Sequence, residues 1–219
     1  MNNLKKYNEF VLESSAEMWN DFIDKINTGI IPKDPPEKDI DKLMELKHSG
    51  KVLDISIGDG ANSEYFIENG YDVYGTDISD LAIDTISEKY PEQNWIVHDT
   101  ENKFPYQDNM FDIVFAKLSL HYFSKEKIYE IMNDIYRILK TGGVFYFMVK
   151  ISNSGNINTN KKSYSKEEWE DFISDFNIID EVDEYRKAYS FEKSPSNLLT
   201  IIAIKESKMA KYTLDKTLN

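Results

Sequence analysis

Three acids stand where short apolar runs give out: Asp59 in the turn after Lys51-Val-Leu-Asp-Ile-Ser-Ile57, Asp77 after Asp72-Val-Tyr-Gly-Thr76, and Asp99 after Asn94-Trp-Ile-Val-His98. A carboxylate offers two acceptor oxygens, so an acid at a strand end suits a neutral diol such as a ribose, and Asp99 could accept from an exocyclic amine of adenine. Gly58 and Gly60 make the first of these turns free of bulk, leaving backbone N–H groups open to a closely approaching polar or anionic ligand. Each feature has a plainer reading. Asp77 and Asp99 could be helix-cap or turn residues, and a glycine turn also serves strand-to-helix packing. His121, just past a fourth apolar run, has an ordinary pKa near neutrality and is the candidate general base, although with Tyr122 it could equally cap and pack the next helix. The other histidines, 48 and 98, share no metal-ligand spacing with it, so no metal site is expected.

The elements that must position these residues alternate regularly. Strands are expected over 51–56, 72–76, 94–98, 111–115 and 144–149, with helices over 61–69, 80–89 and 125–140. Gly142-Gly143 is read as the terminator of the last of these helices. This rhythm predicts an α/β fold, a doubly wound, mostly parallel sheet with helices on both faces. A further helix over 165–176 leads to strands over 178–185 and 198–204, which brings the sheet to seven strands. Only the turn segment Glu192-Lys-Ser-Pro-Ser-Asn197 separates the last two, too little for a crossover helix, so they are expected to form an antiparallel hairpin.

Ahead of the sheet, Phe10, Val11, Met18, Trp19, Phe22, Ile23 and Ile26 recur at helical spacing over 8–27, and Ile31-Pro-Lys-Asp-Pro-Pro36 then breaks the helix. Residues 37–48 read as a short helix. The expected organisation is an N-terminal helical lid segment over 1–36, one domain over 37–205 and a polar tail over 206–219. Tyr7, Trp19 and Phe22 could close over a bound molecule, or simply pack the helix.

Composition narrows the function classes. A formal charge of −13 opposes binding to a phosphate backbone. The absence of cysteine excludes disulfides and thiolate catalysis. No apolar run approaches a membrane span, and the N-terminus lacks the apolar core of a signal peptide, so a cytoplasmic protein with no membrane partner is expected, as a monomer or homodimer.

In order, Val52-Leu-Asp-Ile-Ser-Ile-Gly-Asp-Gly60, Val73-Tyr-Gly-Thr-Asp-Ile-Ser79, the Asp99 region, Phe111-Asp-Ile-Val-Phe-Ala-Lys-Leu-Ser-Leu-His121 and Arg137-Ile-Leu-Lys-Thr-Gly-Gly143 resemble the class I S-adenosylmethionine-dependent methyltransferases. Asn62-Ser63 and Asn69-Gly-Tyr-Asp-Val73 look most like the small-molecule, tellurite-resistance-type branch. The resemblance implies a Rossmann-like fold, S-adenosylmethionine as cofactor, S-adenosylhomocysteine as product and a small-molecule acceptor. It implies that Asp54 orients the glycine turn and the methionine amino group, and that Ser56, Gly58 and Gly60 form the turn against the methionine portion. It further implies Asp77 on the ribose, Ile78 on adenine, Asp99 and Thr100 at the adenine edge, and the backbone of Lys117 and Leu118 over the methionine side. Tyr7, Trp19 and Tyr122 are the acceptor-side candidates. Two positions depart from the family pattern: Ser56 and Thr141 stand where glycine and proline are usual, and a side chain at 56 is costly if the backbone there needs positive φ. A silent cofactor-binding sensor or scaffold is the alternative, and the closing hairpin opposes a nucleotide-dependent oxidoreductase.

Overall fold

The computed structural model describes residues 2–151, 164–186 and 196–207, with side chains from Ser15 onward, Arg186 excepted. In chain order the elements are α1 (Asn2–Asn27), α2 (Ile40–Leu46), β1 (Lys51–Ile55), α3 (Ala61–Glu68), β2 (Asp72–Asp77), α4 (Asp80–Lys89) and β3 (Asn94–Val97). They continue with β4 (Phe111–Lys117), a 3-10 turn (Leu120–Tyr122), α5 (Lys125–Ile138), β5 (Leu139–Lys150), α6 (Lys166–Phe172), β6 (Asn177–Arg186) and β7 (Ser196–Ile204). The expected 206–219 tail lies mostly outside the described residues.

All seven strands join one sheet in the order β3-β2-β1-β4-β5-β7-β6. The first five are parallel, whereas β7 runs antiparallel to both β5 and β6. The expected hairpin is present, with its second strand inserted between β5 and β6. Strand order reverses between β1 and β4, and in an open α/β sheet the cleft that takes a ligand lies at the carboxyl end of such a switch.

Alternation along β5 explains the two layers. Phe145, Phe147 and Val149 face α5 and α6, where Ile128, Ile131, Met132, Ile135, Trp169 and Phe172 cover them. Val144, Tyr146 and Met148 face the other way, against Ile40, Leu43 and Phe66 of α2 and α3. A central strand buried on both faces needs apolar residues at every position, which is why β5 reads as a continuous run rather than an alternating one.

The glycine pair near this strand serves differently from the expectation. α5 stops at Ile138, and β5 already includes Leu139, which pairs with Phe111 before the register jumps to Ile113 opposite Val144. Residues 140–143 therefore make a bend inside the strand rather than a helix terminator. Gly142 (φ +73°) donates to the Lys205 carbonyl at 2.7 Å, and Lys205 donates back to the Gly143 carbonyl at 3.0 Å, which ties the bend to the end of β7. Thr141, the second departure from the family pattern, lies in this bend. The Lys205 ammonium closes it from the side through Leu139 O (2.7 Å) and Asn109 Oδ1 (2.9 Å).

α1 lies outside this sandwich and rests on α4. Ile23, 2% exposed, inserts among Ile57, Ala82, Ile83 and Ile86. The proline-rich segment that follows carries the chain back to the sheet without helix.

Trp169 is fully buried among Phe147, Tyr164 and Phe172, with ring centroids 5.3–5.8 Å away. Trp169→Ala should lower unfolding free energy by about 3–5 kcal/mol, read by urea titration.

Candidate functional site

β1 ends in a left-handed turn. Ser56 (φ +59°), Gly58 (φ +56°) and Gly60 (φ +75°) all have positive φ. At Ser56 an L-residue in this region costs about 1–2 kcal/mol, so the serine is held there by its surroundings rather than by preference. The turn is pinned from the neighbouring strand: Ile57 donates to Thr76 O at 3.0 Å, and Gly58 donates to Asp77 Oδ2 at 3.0 Å. The glycines differ in their reason. At Gly60 a Cβ would sit 2.8 Å from Ile86 Cδ1 and displace that side-chain end, on top of the cost of the dihedral, whereas at Gly58 it would meet nothing and only the dihedral asks for glycine.

Asp77 is the hinge of this geometry. Its second oxygen accepts from Ser79 N at 2.9 Å, and Ser79 caps α4 by accepting from Ala82 N at 3.0 Å. Burial raises the Asp77 pKa, opposed by the N–H bonds from Ser79, Gly58 and Ile78. Behind the turn, Asp54 is 2% exposed and accepts from Ser63 Oγ at 2.6 Å. Desolvation pushes its pKa to about 7. Asp59, whose carboxylate accepts from Ala61 N at 3.1 Å, is likewise raised by burial.

In front of the turn lies a cleft of about 660 Å³, within the range of small-molecule and cofactor sites. Ser56, Gly58, Asp59, Asp77 and Ile78 form its floor, and Asp99, Thr100, Glu101 and Asn102 follow β3 along one end. Lys117, Leu118 and Ser119 close the other side after β4, with Leu118 also at positive φ (+57°) and its N–H bonded to Met148 O at 2.7 Å. Lys117 stands 3.6 Å from the buried carboxylate of Glu37, and Glu37 N donates to Asn62 Oδ1 at 2.9 Å. The roof comes from α1 and the proline-rich segment: Met18, Trp19, Phe22, Pro32 and Pro35. Trp19 meets Tyr122 edge-to-face at 5.7 Å across the cleft rim.

Residues 53–147 match the family model described as a methyltransferase domain. An uncharacterized methyltransferase of Synechocystis sp. is 30% identical over 102 residues, 47% of this chain and 48% of that protein. The malonyl-[acyl-carrier protein] O-methyltransferase of Enterobacter lignolyticus is 26% identical over 111 residues, 51% and 43% of the two chains. Over this stretch, from β1 to β5, the chain is similar to methyltransferase domains. It spans no more than about half the length of the curated relatives it matches. Among solved structures, TehB from Haemophilus influenzae superposes with TM-score 0.71 at 16% identity, covering 86% of this chain and 67% of that one. The 1,6-didemethyltoxoflavin-N1-methyltransferase of Burkholderia thailandensis, solved with 1,6-didemethyltoxoflavin and S-adenosylhomocysteine bound, gives 0.67 at 17% identity over 89% and 90%. At these identities the likeness is one of fold.

Most of the expected site residues meet at one cleft: Ser56, Gly58, Asp77, Ile78, Asp99, Thr100, Lys117 and Leu118, with Trp19 and Tyr122 above them. Asp54 and Gly60 are not on the cleft wall, and they support it from behind. His121 is also not a lining residue. It is 7% exposed, its ring lies 4.4 Å from that of Tyr122, and neither ring nitrogen has a partner among the described residues. Burial, with the charge of Lys150, lowers its pKa to about 3. Tyr7 lies outside the described side chains. Sequence reasoning missed Glu37, Asn62 and the walls made by Pro32 and Pro35, because the proline run announces only that a helix ends. No group of acids and histidines among the described residues has metal-binding geometry.

The Asp54 shift has a pH consequence. Its folded pKa lies above the unfolded value, so the folded state holds the proton more tightly, and this group's contribution to stability falls as pH rises from about 4 through 7. Asp54→Asn should flatten that decline, measured as urea-unfolding free energy at pH 5, 6, 7 and 8.

Proposed function

We propose that this protein is an S-adenosylmethionine-dependent methyltransferase acting on a small molecule. The carrying observation is Asp77, a carboxylate at the wall of the cleft that accepts the backbone N–H groups of Gly58, Ser79 and Ile78 and retains acceptor capacity for a ribose hydroxyl. The residues present fit such a cofactor. Asp34, Asp59, Asp77, Asp99 and Glu101 line the cleft against Lys117 and Lys127, a balance that complements a sulfonium and an ammonium beside one carboxylate. In this reading Ile78 packs on adenine, Asp99 and Thr100 meet its edge, and Ser56, Gly58 and the Lys117–Leu118 backbone lie along the methionine portion, with Asp54 and Gly60 supporting the turn.

When bound, the cofactor supplies a methyl group on a leaving group that is already activated. What the protein must add is alignment and exclusion of water. Trp19, Phe22 and Tyr122 provide an aromatic roof suited to a small organic acceptor, and residues 1–36 act as a lid over the domain at 37–205. A fold neighbour that holds a small molecule together with S-adenosylhomocysteine supports this choice. His121, expected as a base, is buried and holds a proton weakly, so the reading rests on alignment rather than on its titration. A cytoplasmic location and a monomer or homodimer belong to the same reading; no described helix is long and apolar enough to cross a membrane. A catalytically silent sensor or scaffold is the second reading, motivated by Ser56, whose left-handed backbone is strained for any residue but glycine. Transfer of labelled methyl groups to compounds in a metabolite extract separates the two.

By calorimetry, the protein should bind S-adenosylhomocysteine, and Asp77→Ala should weaken it at least tenfold, since a charge-assisted bond is lost. Absence of heat at millimolar ligand with the protein folded sinks the proposal. Ser56→Gly should raise stability by up to about 1 kcal/mol, the left-handed cost less the backbone entropy of glycine, with affinity at or above that of the unaltered chain.

A further inference from the structure

Asn20 stands on α1, on a turn of the helix whose neighbours Trp19 and Phe22 roof the cleft. Its carboxamide is used at both ends. Nδ2 donates to Asp80 Oδ1 at 2.7 Å, and Oδ1 accepts from Ser79 Oγ at 2.5 Å. Ser79 is fully buried, and it is also the residue whose backbone N–H holds Asp77 Oδ1 and whose hydroxyl caps α4. A continuous hydrogen-bonded chain thus runs from Gly58 in the floor through Asp77 and Ser79 to the roof helix. Among the described residues α1 also meets α4 through Ile23 and Phe22 and through Asn27 Nδ2 on Thr85 Oγ1 at 3.1 Å.

We propose that Asn20 is a positioning residue for the nucleoside end of the cleft, coupling closure of α1 to the set of the Asp77 carboxylate. The inference rests on the reading above, in which Asp77 takes the ribose. Because Ser79 Oγ donates to Asn20, its lone pairs remain aimed at Ala82 N and the start of α4 stays fixed; the Ser79 N–H is then held on Asp77. Loss of the Asn20 amide frees that hydroxyl to rotate and lets α1 lift. Apparent affinity falls with the fraction of molecules in the closed arrangement, and by reciprocity a ligand on Asp77 must favour the closed helix.

The test uses the full chain with S-adenosylhomocysteine and with adenosine, followed by calorimetry and by amide hydrogen exchange across residues 15–27. In the unaltered protein either ligand should slow exchange in that segment. Asn20→Ala should bind both ligands about tenfold more weakly, the scale of one lost net hydrogen bond, and lose most of the added protection. Asn20→Gln should recover part of each. Equal affinity of Asn20→Ala and the unaltered chain overturns the coupling and leaves the cofactor reading standing. Unchanged exchange at 15–27 on ligand binding overturns it without recourse to any variant. If the unaltered chain binds neither ligand, both the coupling and the proposed function are overturned.

Discussion

The carboxylate of Asp77 is the constraint on which the cleft depends. It bonds both the turn after β1, through Gly58 N, and the start of α4, through Ser79 N. Parallel strands end at the same edge but have no ladder bonds beyond it, so the loops there need some other tie. A buried acid with two acceptor oxygens supplies it. Its location next to the switch in strand order means that the same atoms fix the fold and face the space where a ligand belongs. Burial raises its pKa, and the N–H bonds that make it a structural tie are those that hold it in the charged, accepting form.

A second regularity follows from that edge. Ser56 and Leu118, at the ends of the adjacent strands β1 and β4, are both non-glycine residues at positive φ and both line the cleft. The chain turns away sharply after each strand, which exposes backbone groups to the cleft instead of covering them with continuing strand. Leu118 is stabilised in that state by its bond to Met148 O and by its 2% exposure; Ser56 has the mildest side chain that could be placed there. Strain of this kind persists only where neighbouring contacts over-determine it.

How far the sequence could be read follows from which contacts are local. The strand and helix periods, the glycine turn and the acids at strand ends are encoded within windows of about ten residues, and so the seven strands, the closing hairpin and the turn and acids of the cleft floor were legible. Gly142-Gly143 reads locally as a helix end because its partner, Lys205, is remote in sequence: a glycine pair bends a chain in either setting, and the bonds to Lys205 tie it into β5. The same reason hid Asn20 and Glu37. An asparagine on a helix is unremarkable until Ser79 and Asp80 are placed beside it, and a glutamate after a proline run reads as solvated until Lys117 and Asn62 surround it. His121 shows the converse. Its position after β4 is legible in the sequence, but its ring packs against Tyr122, a contact the sequence does not show.

The charge of the cleft ties these points together. Asp54, Asp59 and Asp77 are all raised in pKa, each with desolvation as the leading cause, so the folded chain concentrates carboxylates where water is scarce. Such an arrangement opposes folding unless something else compensates, and the backbone N–H groups of Gly58, Ser79 and Ala61 do so only in part. A ligand carrying positive charge would complete the compensation. It would favour the ionised acids, lower their pKa values and gain affinity from the very desolvation that burdens the free protein. A dinucleotide would meet the opposite balance, since its pyrophosphate would enter a cleft in which acids outnumber lysines. The sign of the cleft is therefore an argument about ligand class that stands apart from fold likeness, since the same turn geometry lined with lysines would select an anion.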